Sequence, residues 1–321
     1  MHYVHQPLPG ERLVAFLSDG AFEEQRGSDW SARWWREKDT GLVMPIMIAN
    51  GRRIDQRTTC QQLGGSDYLS QHLKLHHFEP KVFDGRDPAA FCLQILKQEQ
   101  ALQQQALAIT RGDASYPIRL PYGIAETEKG FGFYGAGTNA AHGTPLPANP
   151  AIDKQSRHLF NHHAEQLFIP QGDWQQACDT LNNHCCSARE KERYISASRV
   201  EAEIPNVVLE AQKACSPMQA LDACYLAIVK ANPELRARVA NPDELDSNRF
   251  SQTLRHLKHR VTQPESGAAE DIHGSVITAL NEEAVVSAIL ANQAGINIAV
   301  SYEAFANKMI GVLPADYFYT T

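Results

Sequence analysis

Two short turns, Ser18-Asp19-Gly20 and Asn50-Gly51, each close an apolar run with an oxygen-bearing side chain. Set side by side, the Asp19 carboxylate, the Asn50 amide oxygen and a nearby backbone carbonyl are hard ligands for one divalent cation, with the rest of a shell of about six left to other oxygens. Magnesium suits such a set better than zinc. Asp-Gly and Asn-Gly are also common turn pairs, so turn chemistry alone accounts for both. Glu282 opens a helical stretch, where the helix dipole favours a carboxylate and a solvated role is ordinary. Arg249 offers a guanidinium that can pair bidentately with phosphate, although most arginines simply sit at the surface. His142 lies in a Gly- and Pro-rich loop and could shuttle a proton near neutral pH, but among thirteen histidines an isolated one says little. Tyr302 and Phe305, three apart at the start of a helix, share a face as core residues do.

The elements that must position these groups alternate. Leu13–Leu17 and Leu42–Ala49 read as buried parallel strands, which would bring Asp19 and Asn50 to neighbouring carboxyl ends, where open α/β sheets bind ligands. Between them, Glu23–Lys38 carries Trp30, Trp34 and Trp35 among charges, a helical or irregular segment packing an aromatic face on the sheet. Lys81–Phe83 is a third strand and Ile118–Ala125 a fourth. They flank a helix over Pro88–Ile109 with Asp87 as N-cap and Pro88 at its first position. Phe91, Ile95, Leu102, Ala106 and Ile109 form its buried stripe, leaving the glutamines to solvent. Strands alternating with helices predict an α/β fold with doubly wound, mostly parallel sheets. Residues 130–150 turn Gly- and Pro-rich, and 151–215 resemble a linker with one short helix at Trp174–Leu181. A second unit, 216–321, has helices at Met218–Lys230 and Glu282–Ala294, a strand at Ile296–Val300 and a helix from Glu303.

Composition narrows the partners. Of 321 residues, 43% are hydrophobic and 21% charged, which is globular, and the net charge of -7 provides no general field for a nucleic-acid backbone. Seven cysteines without a C-x-x-C pair fit reduced thiols. No apolar stretch approaches the ~20 residues of a membrane span, and Met1–Pro7 has no secretory pattern, so a cytoplasmic location with neither nucleic acid nor membrane as partner is expected.

Spacing and flanks add a resemblance. Ser18-Asp19-Gly20 followed by Asn50 is similar to the Gly-Asp-Gly to Asn signature of thiamine-diphosphate enzymes, with serine in place of the first glycine. Asp39–Gly51 resembles the segment leading to that Asn in phosphoketolases, the transketolase relatives that cleave sugar phosphates with inorganic phosphate. Phe83–Ala90, Gly137–Leu146, Asn241–Arg249, Leu280–Glu283 and Ser301–Phe305 resemble the same family in the same order, including its subgroup labelled xylulose 5-phosphate 3-epimerase.

The resemblance implies thiamine diphosphate and Mg2+ as cofactors, with the metal held by Asp19, Asn50 and the carbonyl of Arg52. Gly20, Tyr302 and Phe305 would contact the cofactor, and Glu282 would hydrogen-bond its aminopyrimidine. Ser247, Arg249 and Lys129 would bind substrate phosphate, with Tyr302 also reaching it. His142 would lie over the reacting centre, and Glu23 or Glu24 would be an acidic interface residue. The implied reaction is an aldehyde-lyase step in carbohydrate metabolism. A ketose phosphate and inorganic phosphate give acetyl phosphate and an aldose phosphate.

Family members are much longer, so the resemblance makes this chain a central fragment. It would comprise a partial diphosphate- and magnesium-binding domain (1–150), a linker (151–215) and a partial pyrimidine-binding domain (216–321), both domains incomplete. Exposed strand edges are then expected, together with a homodimer or association with a full-length relative, because family active sites form between subunits. Three readings stand: a phosphoketolase-type lyase, a truncated and catalytically inactive remnant, and an interaction partner of a full-length relative.

Overall fold

The computed structural model describes residues 13–24, 32–36, 39, 43–187, 201–207, 216–290, 292 and 295–309. The first sheet begins with Leu13–Ser18 (β1), whose end runs into a short helix, Asp19–Glu24 (α1), and continues with Val43–Ala49 (β2). Helices Thr59–Gln62 (α2) and Ser66–Leu75 (α3) lead to Phe78–Asp84 (β3), and the long helix Pro88–Arg111 (α4) leads to Leu120–Glu126 (β4). All pairs are parallel, in the order β1-β2-β4-β3, with Ser18 beside Ile48 and Ala49 beside Glu126. The inner strands β2 and β4 are buried along most of their length, whereas the edge strands β1 and β3 alternate, and Pro80 is tolerated at an edge. Met47, Leu69, Leu73, Tyr122 and Ile124 form the core on this sheet, each such burial worth roughly 1.5–3 kcal/mol.

Asp87 caps α4 through Ala89 N, with Pro88 in its first turn, as the sequence predicts. The predicted stripe is corrected. Gln94 and Gln98 are buried with Leu102, whereas Phe91, Ile95, Ala106 and Ile109 are only half-buried. Gln98, 1% exposed, donates to the Pro45 carbonyl at 3.2 Å. Gly123 makes room for it, since a Cβ there would lie 3.0 Å from Gln98 Nε2.

The stretch read as a linker holds two helices, Lys154–Glu165 (α5) and Gln171–Cys186 (α6). The second sheet follows, built from Pro217–Ala231 (α7), Ala237–Asn241 (β5), Ser251–Leu257 (α8), His259–Arg260 (β6), Glu270–Asp271 (β7) and Val276–Thr278 (β8). It closes with Glu282–Leu290 (α9), Ile296–Ala299 (β9) and Glu303–Ala306 (α10). Its order is β7-β6-β8-β5-β9, again all parallel. Later strands lie on both sides of β5, so its carboxyl end is a topological switch point, the place where open α/β sheets bind ligands.

Ala32–Trp34 form a 3-10 turn, and Trp34 packs on Ala240, Ala279 and Val285 of the second sheet instead of the first; Trp30 lies outside the described residues. Charged side chains reinforce this junction. Arg36, 1% exposed, donates to the carbonyls of Ile272 at 2.5 Å and Val261 at 2.9 Å. Asp39 pairs with Arg238 at 2.9 Å and with Arg260, which also reaches the Gly274 and Trp34 carbonyls at 2.8 and 3.0 Å. Among the described residues no helix is long and apolar enough to cross a membrane.

Candidate functional site

Parallel pairing of β1 with β2 delivers both predicted segments to one sheet end, although Asp19 and Gly20 open α1 and do not form the expected tight turn. Asp19 is 1% exposed; its Oδ1 accepts from Gly20 N at 2.9 Å and its Oδ2 from Gly51 N at 2.7 Å. Burial pushes its carboxyl above the ordinary value, the Gly51 and Gly20 amides oppose that, and Glu23 adds like charge. The amide of Gly20 is thus committed to Asp19. Asn50 Oδ1 accepts from Arg52 N at 2.9 Å, turning the chain back tightly, and Gly51 takes φ +74°, a left-handed conformation that glycine adopts without penalty.

Cationic groups surround this turn. Arg52 donates to Asn139 Oδ1 at 2.6 Å, and Asn139 donates in turn to the Asp55 carbonyl. Those bonds hold the 3-10 turn Asn139–His142 over the arginine loop, with His142 exposed. The Lys129 ammonium donates to the Arg53 carbonyl. Glu23 turns inward on its own chain, pairing with Arg53 and accepting from Thr59 N and Cys60 N, both at 2.8 Å. Its burial raises the carboxyl pKa, but these donors overcome that and bring it to about 2. Burial and the neighbouring Glu23 push the Cys60 thiol up to about 12. The first sheet therefore gathers Asp19, Gly20, Asn50, Arg52, Lys129 and the His142 turn. Arg53 and Asn139 are additional members; two consecutive arginines directly after Asn50-Gly51 signal the first, and the second lies within the Gly137–Leu146 segment.

The remaining predicted residues collect on the second sheet. Glu282 is 7% exposed in the first turn of α9, and its Oε1 accepts from Lys308 Nζ at 3.3 Å. Lys308 also lies over the Phe305 ring, 5.3 Å from its centroid. Tyr302 and Phe305 are 45% and 42% exposed, so core packing is not their role. Ser247 and Arg249 are exposed on the loop after β5; Ser247 Oγ donates to the Asp243 and Glu244 carbonyls at 3.0 and 2.7 Å, and Arg249 holds φ +66°. Asp243, inside a recognised segment but given no role from sequence, links this loop to Tyr302 through its carboxylate.

The donors fit a magnesium diphosphate in kind. Asp19 is a buried carboxylate held by backbone amides, and a cation beside it would offset the cost of burying that charge. Among the described residues no three His, Cys, Asp or Glu side chains form a metal cluster, so Asn50 and a backbone carbonyl would have to complete the protein's share.

Residues 219–320 match the family model described as D-xylulose 5-phosphate/D-fructose 6-phosphate phosphoketolase. A transketolase variant from Pichia stipitis superposes with TM-score 0.50 at 15% identity, over 97% of this chain and 46% of that one. A transketolase from the same organism, described as a complex with xylulose 5-phosphate, superposes with TM-score 0.51 at 16% identity, over 96% and 46%. At this identity the likeness shows the fold alone, shared with those transketolases, and the chain spans about half their length. No curated protein matches.

Proposed function

We propose that this chain, carrying a phosphoketolase-family segment at residues 219–320 on a transketolase fold, is part of a thiamine-diphosphate- and magnesium-dependent phosphoketolase. The reaction is aldehyde-lyase cleavage of a ketose phosphate with inorganic phosphate to acetyl phosphate and an aldose phosphate, in carbohydrate metabolism in the cytoplasm. The observation that carries this reading is the bond from Gly51 N to Asp19 Oδ2, which joins the acidic turn to the amide turn.

Asp19, Asn50 and the Arg52 carbonyl would hold the metal, as hard oxygens at one sheet end. Thiamine diphosphate, when bound, supplies the carbanion stabilisation for breaking a carbon–carbon bond beside a carbonyl. The protein's share is orientation and electrostatics. Glu282 would hold a proton for the aminopyrimidine, and Tyr302 and Phe305 would contact that ring. Ser247, Arg249 and Lys129 bind phosphate, with charge and bidentate geometry from the guanidinium. His142, exposed on its loop, moves a proton at a substrate hydroxyl. Residues 1–150 act as a partial diphosphate domain and 216–321 as a partial pyrimidine domain, with 151–215 between them. In a homodimer, Glu282 of one copy meets the metal site of the other.

One observation favours the second reading, an inactive remnant or partner of a full-length relative: Phe16 on the edge strand β1 is 59% exposed, and Leu93 and Leu96 of α4 are exposed as well. The two readings separate in one assay. The full chain with magnesium, thiamine diphosphate, xylulose 5-phosphate and inorganic phosphate is tested for acetyl phosphate, trapped as its hydroxamate. Formation that Asp19→Ala abolishes supports the lyase, and cofactor binding without product supports the second reading.

A further inference from the structure

We infer that Asp243 is the positioning residue that sets Ser247 and Arg249 against Tyr302, so that a phosphate monoester is gripped between two loops. This inference rests on the reading of those three residues as the phosphate-holding group.

β5 and β9 pair in parallel, with Ala240 beside Ala299, so the segments leaving them emerge side by side at the switch point. Asp243 is two residues beyond β5. Its Oδ2 accepts from Ser301 Oγ at 2.6 Å and from Tyr302 N at 3.0 Å, both just past β9. Its own carbonyl accepts from Ser247 Oγ at 3.0 Å. Asp243 therefore holds the Tyr302 backbone with its side chain, and its main chain shares the Ser247 hydroxyl with the Glu244 carbonyl, which lies at 2.7 Å. Hydrogen bonds to an ionised carboxylate are the short, strong kind, suited to fixing geometry.

The loop around it is built for a single shape. Leu245 and Phe250 are fully buried, while Ser247 and Arg249 stay exposed between them. Glu244 and Arg249 take φ +71° and +66°, conformations that non-glycine residues keep only when their surroundings enforce them. Asn241 supplies part of that enforcement, with Nδ2 donating to Asn248 Oδ1 and to the Val300 carbonyl, each at 2.7 Å. Two ties thus cross from the β5 loop to the β9 exit, one from Asn241 and one from Asp243. The Asn241 tie is wholly buried and structural. The Asp243 tie is half-buried and adjoins the exposed groups. A carboxylate repels phosphate, so Asp243 is not itself a ligand; it orients the groups that are.

The test uses the full chain and calorimetric titration with inorganic phosphate and with xylulose 5-phosphate. Asp243→Ala is expected to weaken both affinities about tenfold, the loss typical of a hydrogen bond to a charged group. Magnesium–thiamine diphosphate affinity, to which Tyr302 also contributes, falls by less than about threefold, whereas a merely structural defect would lower both affinities alike. Asp243→Asn keeps an acceptor and recovers most of the loss. Ser301→Ala, which removes one hydroxyl and keeps the falsifying comparison should Asp243→Ala fail to fold, weakens phosphate binding severalfold. The double variant is no worse than Asp243→Ala, because the bond from Ser301 is already lost when Asp243 is removed. Wild-type phosphate affinity in Asp243→Ala, or in Ser301→Ala if that alone folds, with binding still lost in Arg249→Ala, overturns this inference and leaves the phosphate assignment standing. Absence of phosphate binding by the unmodified chain overturns the phosphate assignment and the inference together.

Discussion

The Asp19 carboxylate and the Gly51 amide, 32 residues apart in sequence, are joined by a hydrogen bond of 2.7 Å. The contact follows from parallel pairing of two apolar strands, one running into α1 at Asp19 and the other ending in the Asn50-Gly51 turn. It fixes the Asp19 carboxylate beside the turn that carries Asn50 before any ligand arrives, which is the preorganisation a metal–diphosphate site requires.

Gly51→Ala tests that turn. With φ at +74° and an added Cβ 2.9 Å from Gln61 Oε1, the variant must strain its backbone while the flexible glutamine shifts. A loss of about 1–2 kcal/mol in urea unfolding is expected, with weaker magnesium-dependent cofactor binding. Unchanged stability would show that the turn is not left-handed.

Glu23 predicts an acid dependence. Its carboxyl is at about 2 in the fold, against an ordinary 4.5, because the Thr59 and Cys60 amides and Arg53 outweigh burial. A depressed carboxylate contributes stability that is complete above the unfolded value and is lost as pH falls through the window between 4.5 and about 2, where the unfolded chain binds the extra proton. Chemical denaturation from pH 6 downward should therefore show Glu23→Gln less stable than wild type near neutrality, with the difference narrowing over that window. A constant difference would contradict the assignment.

Asp39→Asn tests the junction between the sheets. Arg238 and Arg260 are nearly buried, and burial lowers the Arg238 pKa while Asp39 raises it. Removing the shared carboxylate charge leaves both guanidinium groups without it, at an expected cost of about 3–5 kcal/mol in equilibrium unfolding. A change under about 1 kcal/mol would mean that solvent reaches the pair.

Much of this arrangement was legible in the sequence, for identifiable reasons. β1 and β2 are uninterrupted apolar runs closed by Asp-Gly and Asn-Gly, and α4 announces itself through Asp87 and Pro88. Other features carried no local signal. Gln98 is buried because a strand carbonyl at Pro45 accepts its amide and Gly123 leaves space, facts of tertiary packing. β5 and β8 are five and three residues long, too short for periodicity to mark them, and β5 includes the buried Arg238, whose partner lies in another segment. Tyr302 and Phe305 have core-like spacing, yet they are exposed because α10 is a single turn at the sheet's mouth. Asp243 sat in a recognised segment, but its partners come from a strand about 60 residues away.

Glu282→Gln should separate binding from chemistry. The carboxylate is buried in the first turn of α9 and touches Lys308, so an isosteric amide preserves the packing. Cofactor affinity should change less than about threefold, while acetyl phosphate formation falls at least about a hundredfold, as for loss of an acid–base group. Full turnover in the variant would remove Glu282 from the site.

The most direct measurement is calorimetric titration of thiamine diphosphate into the purified full chain, with and without magnesium, beside Asp19→Ala. Saturable, magnesium-dependent heat is expected for the wild type, and its loss by at least about a hundredfold in the variant, on the order of 2.7 kcal/mol. Equal heats from both proteins, or none from the wild type at millimolar cofactor, would contradict the claim that these two turns form a cofactor site.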